Sequence, residues 1–369
     1  MLASIIVSLI IVFISFICIK YPKSKALEVA FLVLVVFLGI RYDFGNDYKT
    51  YMSLFHRLNN SYSLFDVVKN IDRLECEVGW ALLCVLFKPV GFFGMVFILT
   101  FAEYYLVYRT IKDFVPPKYY WLALFFLLFN PNLMLIGASG MRQWLAVCIS
   151  LYSIRFILKK KQLYFFLSIL IACSFHKSAL IFAPVFLVGL SRSFLQKPVV
   201  AYSVLPLIVL WFFIAPNVLP SYLDYVFGFD ELEAYSGHYT RHINETREGT
   251  ISFLGLISTF IIPTYAIIRS HRFDVDNYVF VFIYLLSLIF IPISNQVMMA
   301  VRLNFYFWCV GVIALPLIME CSSKTDKKIE TLLVLIVVLP TLRIYFNFFN
   351  DPLWEKFLDY STIFSQSWQ

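Results

Sequence analysis

The stretch LASIIVSLIIVFISFICI, residues 2–19, decides the fold class of this chain. It contains no charged residue, and it is long enough for a helix to cross the hydrocarbon layer of a membrane, which takes about 17–25 residues. Lysines follow it at Lys20, Lys23 and Lys25, and no basic residue precedes it. This pattern predicts a retained membrane helix with its N-terminal end outside, rather than a cleaved signal peptide.

Apolar spans of similar length recur through the rest of the chain. Of the 369 residues, 61% are hydrophobic and 14% are charged, which is more apolar surface than one soluble core can bury. Backbone groups inside a membrane must bond to one another, so we expect the spans to be helices. The other predicted spans are 26–40, 91–108, 119–135, 142–158, 199–214, 251–268, 278–294, 298–319 and 329–346, with 163–190 forming two short helices that meet at His176.

The predicted fold is therefore an all-α polytopic membrane protein, a single integral membrane domain over residues 1–369 with about 11–12 transmembrane helices. A GT-C-like architecture is compatible with it. Six short connections hold 17 of the 30 lysines and arginines against five acidic residues, and they are predicted to be cytoplasmic. The long connections 41–78 and 215–250, which are richer in acidic residues, are predicted to be outer, periplasmic loops. Residues 79–88 are expected to form a partial helix after the first of them.

Cysteines and histidines show no metal-binding or redox spacing. Most of the seven cysteines lie in apolar spans, which argues against a disulfide framework. The sequence has no CxxC, HExxH or glycine-rich phosphate loop, so it predicts no metal and no cofactor. The cytoplasmic loops account for the net charge of +7, which therefore gives no support to nucleic-acid binding.

Charged residues interrupt the apolar pattern at the outer ends of several spans. An ionisable side chain at the edge of the hydrocarbon is costly unless it has a partner, so Arg41, Arg142, His176 and Arg302 are functional candidates. Each also has a plainer interpretation. The arginines could extend to lipid headgroups, and the histidine could be a structural residue that is hydrogen-bonded within the fold.

Two short polar groups flank the first outer loop. In RYDFGNDYKTY, residues 41–51, Arg41 suits a phosphate and Asp47 suits a hydroxyl group, but an ordinary aromatic belt with solvated charges explains the spacing as well. EVGW, residues 77–80, adds the carboxylate of Glu77 and the ring of Trp80. That combination suits a sugar, and a tryptophan at this depth is also a common membrane anchor.

A third polar group, NPNLMLIGASGMRQ, covers residues 130–143. Asn-Pro-Asn interrupts a helix at a depth where irregular backbone is tolerated only against protein or a watery cavity. Ser139 is the predicted N-cap of the next helix, which places Arg142 in its first turn, where free N–H groups already favour an anion. The second outer loop mixes aromatic and acidic residues with two histidines over 224–242. This part of the chain is predicted to form an interfacial helix followed by a loop that covers a carbohydrate. The alternative is a surface loop that lies among lipid headgroups.

Five motifs, taken in order along residues 27–310, resemble a known family. They are RxxxGxDYxxY at 41–51, ExG-aromatic at 77–80, RQ at 142–143, FHxSA at 175–179 and RxxxYF at 302–307. In the order and spacing of these motifs, the chain resembles the EpsG-type, Wzy-like polysaccharide polymerases. The resemblance implies a bacterial inner-membrane enzyme that joins polyprenyl-diphosphate-linked repeat units of O-antigen, capsule or exopolysaccharide on the periplasmic side.

The resemblance also suggests roles for the marked residues. Expulsion of a polyprenyl diphosphate needs charge neutralisation, which arginines supply without a metal. The expected diphosphate ligands are Arg41, Arg142 and Arg302. Asp47 and His176 are the two candidates for the catalytic base, and Glu77 is the third choice. The expected sugar contacts are Tyr48, Trp80 and Gln143. The expected partners are the lipid-linked oligosaccharide, the bilayer and a chain-length regulator protein.

Two other functions share the hydrophobic chain and a basic cavity. A flippase for lipid-linked sugars should carry charges near mid-membrane in two related halves, whereas here they gather at one face and no internal repeat is visible. A glycan ligase acting on the same substrates is the second alternative, and only a product assay separates it from a polymerase.

Overall fold

Apolar helices packed side by side dominate the computed structural model, which describes residues 1–227, 253–294 and 298–365. The helices as far as the broken segment are α1 Leu2–Lys20, α2 Ala26–Gly39, α3 Tyr48–Ser61, α4 Leu64–Lys69, α5 Val78–Leu86, α6 Gly91–Phe114, α7 Tyr120–Phe129, α8 Leu135–Ser139, α9 Met141–Leu158 and α10 Gln162–Phe175. The later ones are α11 Val185–Leu190, α12 Arg192–Leu195, α13 Pro198–Phe227, α14 Phe253–Ile268, α15 Val275–Ser294, α16 Met298–Trp308, α17 Gly311–Ser323 and α18 Lys327–Phe348. Short 3-10 helices include Ile71–Arg73, Pro117–Tyr119, Lys177–Phe182, Ser270–Arg272 and Pro352–Phe357.

Six helices in the described ranges are long and apolar enough to cross a membrane: α1, α6, α9, the first part of α13, most of α15, and α18. A pair bent by 46°, Val301–Trp308 with Gly311–Ser323, adds a seventh if it forms one span. The predicted all-α polytopic membrane fold is confirmed. Other predicted crossings correspond to apolar helices of 10–17 residues, such as α2 and α10, so the total of about 11–12 stays a prediction.

Helix α9 lies at the centre of the packing. It contacts α6, α8, α10 and α16, and most of its side chains are buried. In contrast, α1 packs against α2 and α7 with one side and exposes large apolar side chains such as Phe13 on the other, as expected of a helix that faces lipid. The first turn of α9 is therefore held in place by several neighbouring helices.

The predicted span 119–135 is shorter than expected. Helix α7 ends at Phe129, because Asn130 adopts extended backbone before Pro131 and the chain then turns into the short helix α8. The predicted N-cap Ser139 is also wrong: Gly140 precedes α9, and the Ser139 hydroxyl accepts a hydrogen bond from the backbone N–H of Asp47 at 3.1 Å. The interruption of the helix in this region was predicted correctly, but its internal arrangement was not.

The predicted break in 163–190 is confirmed. Helix α10 ends at Phe175, His176 adopts extended backbone (φ −156°, ψ 115°), and the 3-10 helix Lys177–Phe182 and α11 follow. The predicted partial helix 79–88 is present as α5. In contrast, the span predicted at 199–214 continues as α13 to Phe227. Residues 228–250 of the predicted second outer loop lie outside the described residues.

A short antiparallel strand pair joins the segment after α2 to the last part of the described chain. Strand β1, Arg41–Tyr42, pairs with β2, Ser361–Thr362, and the N–H of Ile363 donates to the carbonyl of Ile40 at 3.0 Å. Tyr360 stacks on Phe37 with ring centroids 4.3 Å apart. This pairing fixes the segment that follows α2 and leads into α3.

Candidate active site

An ion pair between Glu77 and Arg142 lies at the N-terminal ends of α5 and α9. Arg142 Nη1 donates to Glu77 Oε2 at 2.6 Å, and the exposed fractions of the two side chains are 26% and 15%. Arg142 occupies the first turn of α9 as predicted, where free backbone N–H groups give the helix end a partial positive charge. The pair is thus largely buried and still reachable by a ligand.

The glycine of EVGW brings Glu77 to the break after α10. A Cβ on Gly79 would stand 2.4 Å from Ser174 Oγ and 2.7 Å from Ser174 O, so only glycine allows α5 to approach α10 this closely. As a result Glu77 Oε1 lies 3.4 Å from the backbone N–H of Lys177, which donates to it. The carboxylate therefore contacts both Arg142 and the segment that carries His176.

His176 begins a chain of hydrogen bonds that joins two distant motifs. His176 Nδ1 lies 2.5 Å from Ser178 Oγ, and Ser178 Oγ lies 3.0 Å from the hydroxyl of Tyr306. Tyr306 is 1% exposed, whereas His176 and Ser178 are half-buried. The FHxSA and RxxxYF motifs, far apart in sequence, thus form one structural unit.

Arg302 enters the same region from α16. Gln143 Nε2 donates to the backbone carbonyl of Arg302 at 2.7 Å, which ties the first turn of α9 to α16. The Arg302 side chain itself is exposed, and its guanidinium acts electrostatically on His176 together with Glu77 and Arg142. The predicted residues Glu77, Arg142, Gln143, His176 and Arg302 are therefore brought together.

The ring of Tyr51 lies beneath Arg142 and is itself packed against Trp80. The guanidinium carbon of Arg142 is 5.6 Å from the centre of the Tyr51 ring, and the Tyr51 and Trp80 ring centroids are 5.2 Å apart. Burial raises the pKa of the Tyr51 hydroxyl, opposed by the positive charge of Arg142. Trp80 is completely buried, so in this structure its ring packs against Tyr51 and offers no face to a sugar.

Arg41 lies apart from this cluster in a buried position, 2% exposed. Its guanidinium donates to the carbonyl of Leu38, to Thr100 Oγ1 at 3.0 Å and to the carbonyl of Ala138 at 3.1 Å. The Tyr48 hydroxyl, also buried, donates to the carbonyl of Arg41 at 2.9 Å. Both residues, predicted to contact substrate, here hold the chain around β1.

Asp47 is exposed, and it directly precedes α3. Its backbone bond to Ser139 places it beside the residues that lead into α9, and a Cβ on Gly45 (φ 101°) would come within 2.8 Å of Ser139 Cβ. The loop 43–47 is therefore packed directly onto the segment before Arg142. Among the predicted bases, Asp47 is the exposed carboxylate.

The cluster around Arg142 has the composition of an anion site. The Arg142 guanidinium, the His176 segment and a helix N-terminus lie around one carboxylate, and the exposed Arg302 is close enough to act electrostatically on the histidine. Such groups bind phosphate oxygens and stabilise negative charge. The described residues contain no group of three or more His, Cys, Asp or Glu that could hold a metal ion.

Basic residues lie at the opposite ends of the helices that carry the cluster. Helix α9 begins beside Arg142 and ends before Lys159; α10 begins after Lys161 and ends before His176. The cluster thus lies at the ends of α9 and α10 opposite the lysine-rich connections, and its position on the periplasmic side stays a prediction.

Three site residues were missed by sequence reasoning. Ser178 and Tyr306 were noticed only as parts of motifs, and Tyr51 only as one of several tyrosines. Their motif positions were the available signal, but their contacts are made across helices and could not be read from spacing. Ser139 was noticed for a different role.

The model of the EpsG family matches residues 25–362, a range that includes Arg41, Glu77, Arg142, His176 and Arg302. Comparison with curated proteins and with solved structures gives no match. Because the family match extends over nearly the whole chain, this multi-pass membrane protein belongs to the EpsG family, a Wzy-type polymerase-like family with a role in polysaccharide biosynthesis.

Proposed function

We propose that this protein polymerises polyprenyl-diphosphate-linked oligosaccharide repeat units into O-antigen, capsule or exopolysaccharide by glycosyl transfer at the periplasmic face of the bacterial inner membrane. Family membership supports the reaction class. The observation that carries the proposal is the position of Arg142 at a helix N-terminus, paired with Glu77 and grouped with His176 and Arg302.

The leaving group explains the need for this cluster. An acceptor hydroxyl attacks the anomeric carbon, the C–O bond to the diphosphate breaks, and the diphosphate leaves with the bonding electrons. Arg142 and Arg302 neutralise the charge that develops on it. Arg41 can join them only in a conformation in which its present bonds to Thr100 and Ala138 open.

The acceptor hydroxyl also needs a base, for which Asp47 and His176 compete. Glu77 is bound to Arg142 and to the Lys177 N–H, and this arrangement suits orientation of the arginine better than proton transfer. Gln143 remains a proposed sugar contact, whereas Tyr48 and Trp80 would serve the sugar only indirectly, through Arg41 and Tyr51.

The lipid tail of the substrate would enter from the bilayer between the spanning helices, with the sugars outside. A chain-length regulator protein is a proposed partner.

A product assay tests the proposal. Purified protein in lipid vesicles is given a synthetic polyprenyl-diphosphate repeat unit, and the products are resolved as a glycan ladder. Polymer of two or more repeats, made without any other protein, is the expected result. Movement of the lipid across the vesicle membrane without new glycosidic bonds would show a flippase, and transfer only to an added lipid acceptor would show a ligase; either outcome overturns the proposal.

A further inference from the structure

We propose that Ser178 and Tyr306 are positioning residues that hold His176 with its proton on Nε2, so that His176 donates a hydrogen bond to the substrate diphosphate and does not act as the base. This inference rests on the function proposed above. The juxtaposition that carries it is the row of three polar groups, His176 Nδ1, Ser178 Oγ and Tyr306 Oη, separated by 2.5 and 3.0 Å.

The buried end of the chain sets its direction. Tyr306 is 1% exposed, and Ser178 is the hydrogen-bond partner found for its hydroxyl among the described residues. If the tyrosine accepted from Ser178, its own proton would be buried without an acceptor, which is costly. Tyr306 therefore donates to Ser178 Oγ.

Ser178 then has one proton left to donate. The remaining partner found for its hydroxyl in the described ranges is His176 Nδ1. A donation from Ser178 requires that Nδ1 carry a lone pair, so the proton of the neutral imidazole is on Nε2. The direction Tyr306 to Ser178 to His176 leaves every hydroxyl proton of the chain bonded.

A histidine in this tautomer can donate but cannot accept a proton on the nitrogen that faces away from Ser178. Beside Arg142 and Arg302, an Nε2–H group suits a phosphate oxygen of the leaving diphosphate. The base is then a carboxylate, and Asp47 is the exposed candidate, since Glu77 is held in its ion pair with Arg142. In this step the acceptor oxygen forms a C–O bond to the anomeric carbon, Asp47 takes the acceptor hydroxyl proton, and the diphosphate leaves with the electron pair of the C–O bond that breaks.

Nitrogen-15 NMR of the full-length protein labelled at its five histidines tests the tautomer directly. The His176 signals are identified by their loss in His176→Asn. We expect a protonated Nε2 and an unprotonated Nδ1. A proton on Nδ1, or an imidazolium, overturns the inference. Because no substrate is needed, this result is independent of whether the polymerase assay succeeds.

Variants of the positioning residues give the second measurement. Tyr306→Phe removes only the hydroxyl; we expect kcat to fall about tenfold with KM nearly unchanged, and the His176 signals to show a tautomer mixture. Tyr345→Phe is the matched control, because Tyr345 is also fully buried and lies in α18, outside the cluster. Ser178→Thr should keep the tautomer and the activity that Ser178→Ala loses. An unchanged tautomer and kcat in Tyr306→Phe would refute the positioning role.

Substitutions of the histidine separate a donor from a base. Gln keeps an N–H donor but cannot take a proton, so His176→Gln should retain at least tenfold more activity than His176→Ala. Asp47→Asn should abolish turnover and leave lipid-linked substrate binding intact. If His176→Gln is as inactive as His176→Ala while Asp47→Asn stays active, His176 is the base and the inference is wrong.

Discussion

Replacement of Arg142 gives the most direct test of the anion site. Arg142→Ala removes the bond to Glu77 at 2.6 Å and the contact with the Tyr51 ring. The pair is neither fully buried nor fully exposed, so its loss should destabilise the fold by about 1–2 kcal/mol, between the values for surface and buried pairs. A membrane protein of ordinary stability remains folded after such a loss.

The effect on the reaction should be much larger. Loss of one preorganised group that stabilises developing negative charge lowers kcat by about 10²–10³-fold. Arg142→Lys keeps the charge but loses the two-pronged geometry, so we expect about tenfold more activity than in Arg142→Ala, still well below that of the unchanged protein. The measurement is the rate of ladder formation by purified variants whose thermal unfolding is recorded in parallel.

A double variant separates the two roles of this arginine. If Arg142 only neutralises Glu77, then Glu77→Gln combined with Arg142→Ala should regain most of the activity lost in Arg142→Ala alone. We expect no such recovery, because the diphosphate still lacks its ligand. Restored ladders in the double variant would refute the reasoning.

Four further outcomes are expected. Reporter fusions after Lys161 should read cytoplasmic and fusions at Asn60 periplasmic, and the reverse at Asn60 would place the cluster on the wrong side. Gly79→Ala should lower the free energy of unfolding by about 1–3 kcal/mol and remove most of the activity, because the new Cβ would collide with Ser174. Gly91→Ala is the control: Gly91 has φ 79° and no atom within 4 Å of the added Cβ, so this change should cost about 1 kcal/mol and leave kcat unchanged. Polymerisation should persist in excess chelator, and a rescuable requirement for magnesium or manganese would reveal a missed metal site. Burial raises the pKa of the Cys76 thiol to about 11, so in a variant with no other cysteine its reaction with an impermeant maleimide should be slow at neutral pH and rise about tenfold per pH unit up to about pH 10. A rate that levels off near pH 8.5, about the ordinary pKa of a free thiol, would show that the thiol is exposed.

Local features of the sequence were predicted well. The break at His176 and the partial helix α5 follow from polar residues, glycine or proline set in apolar runs. Arg142 lies in the first turn of α9 as predicted, although Gly140 and not Ser139 precedes that helix. Such signals act over a few residues, so one sequence is enough to recognise them.

The environments of individual side chains were predicted less well. Arg41 and Trp80 were expected at a surface that meets substrate, and both are buried, because Arg41 finds carbonyl acceptors on α2 and α8 and Trp80 packs beside Tyr51. Ser139 was expected to cap α9, and it bonds to Asp47 instead. Apart from the Leu38 carbonyl, which is three residues from Arg41, these partners are distant in sequence, and the hydropathy of single spans contains no information about them.

The pairing of β1 with β2 has a consequence for synthesis of the protein. Ser361 Oγ donates to the carbonyl of Tyr42, a residue made 319 positions earlier. At about 5–20 residues per second, β1 waits about 15–60 s for its partner while the intervening helices are inserted. Residues 41–42, which precede the loop that carries Asp47, therefore lack their strand partner until nearly all of the membrane helices have been made. In a chain still on the ribosome, Arg142 and His176 can come together on α9 and α10 while this loop is held by its contact with Ser139 and not yet by β2.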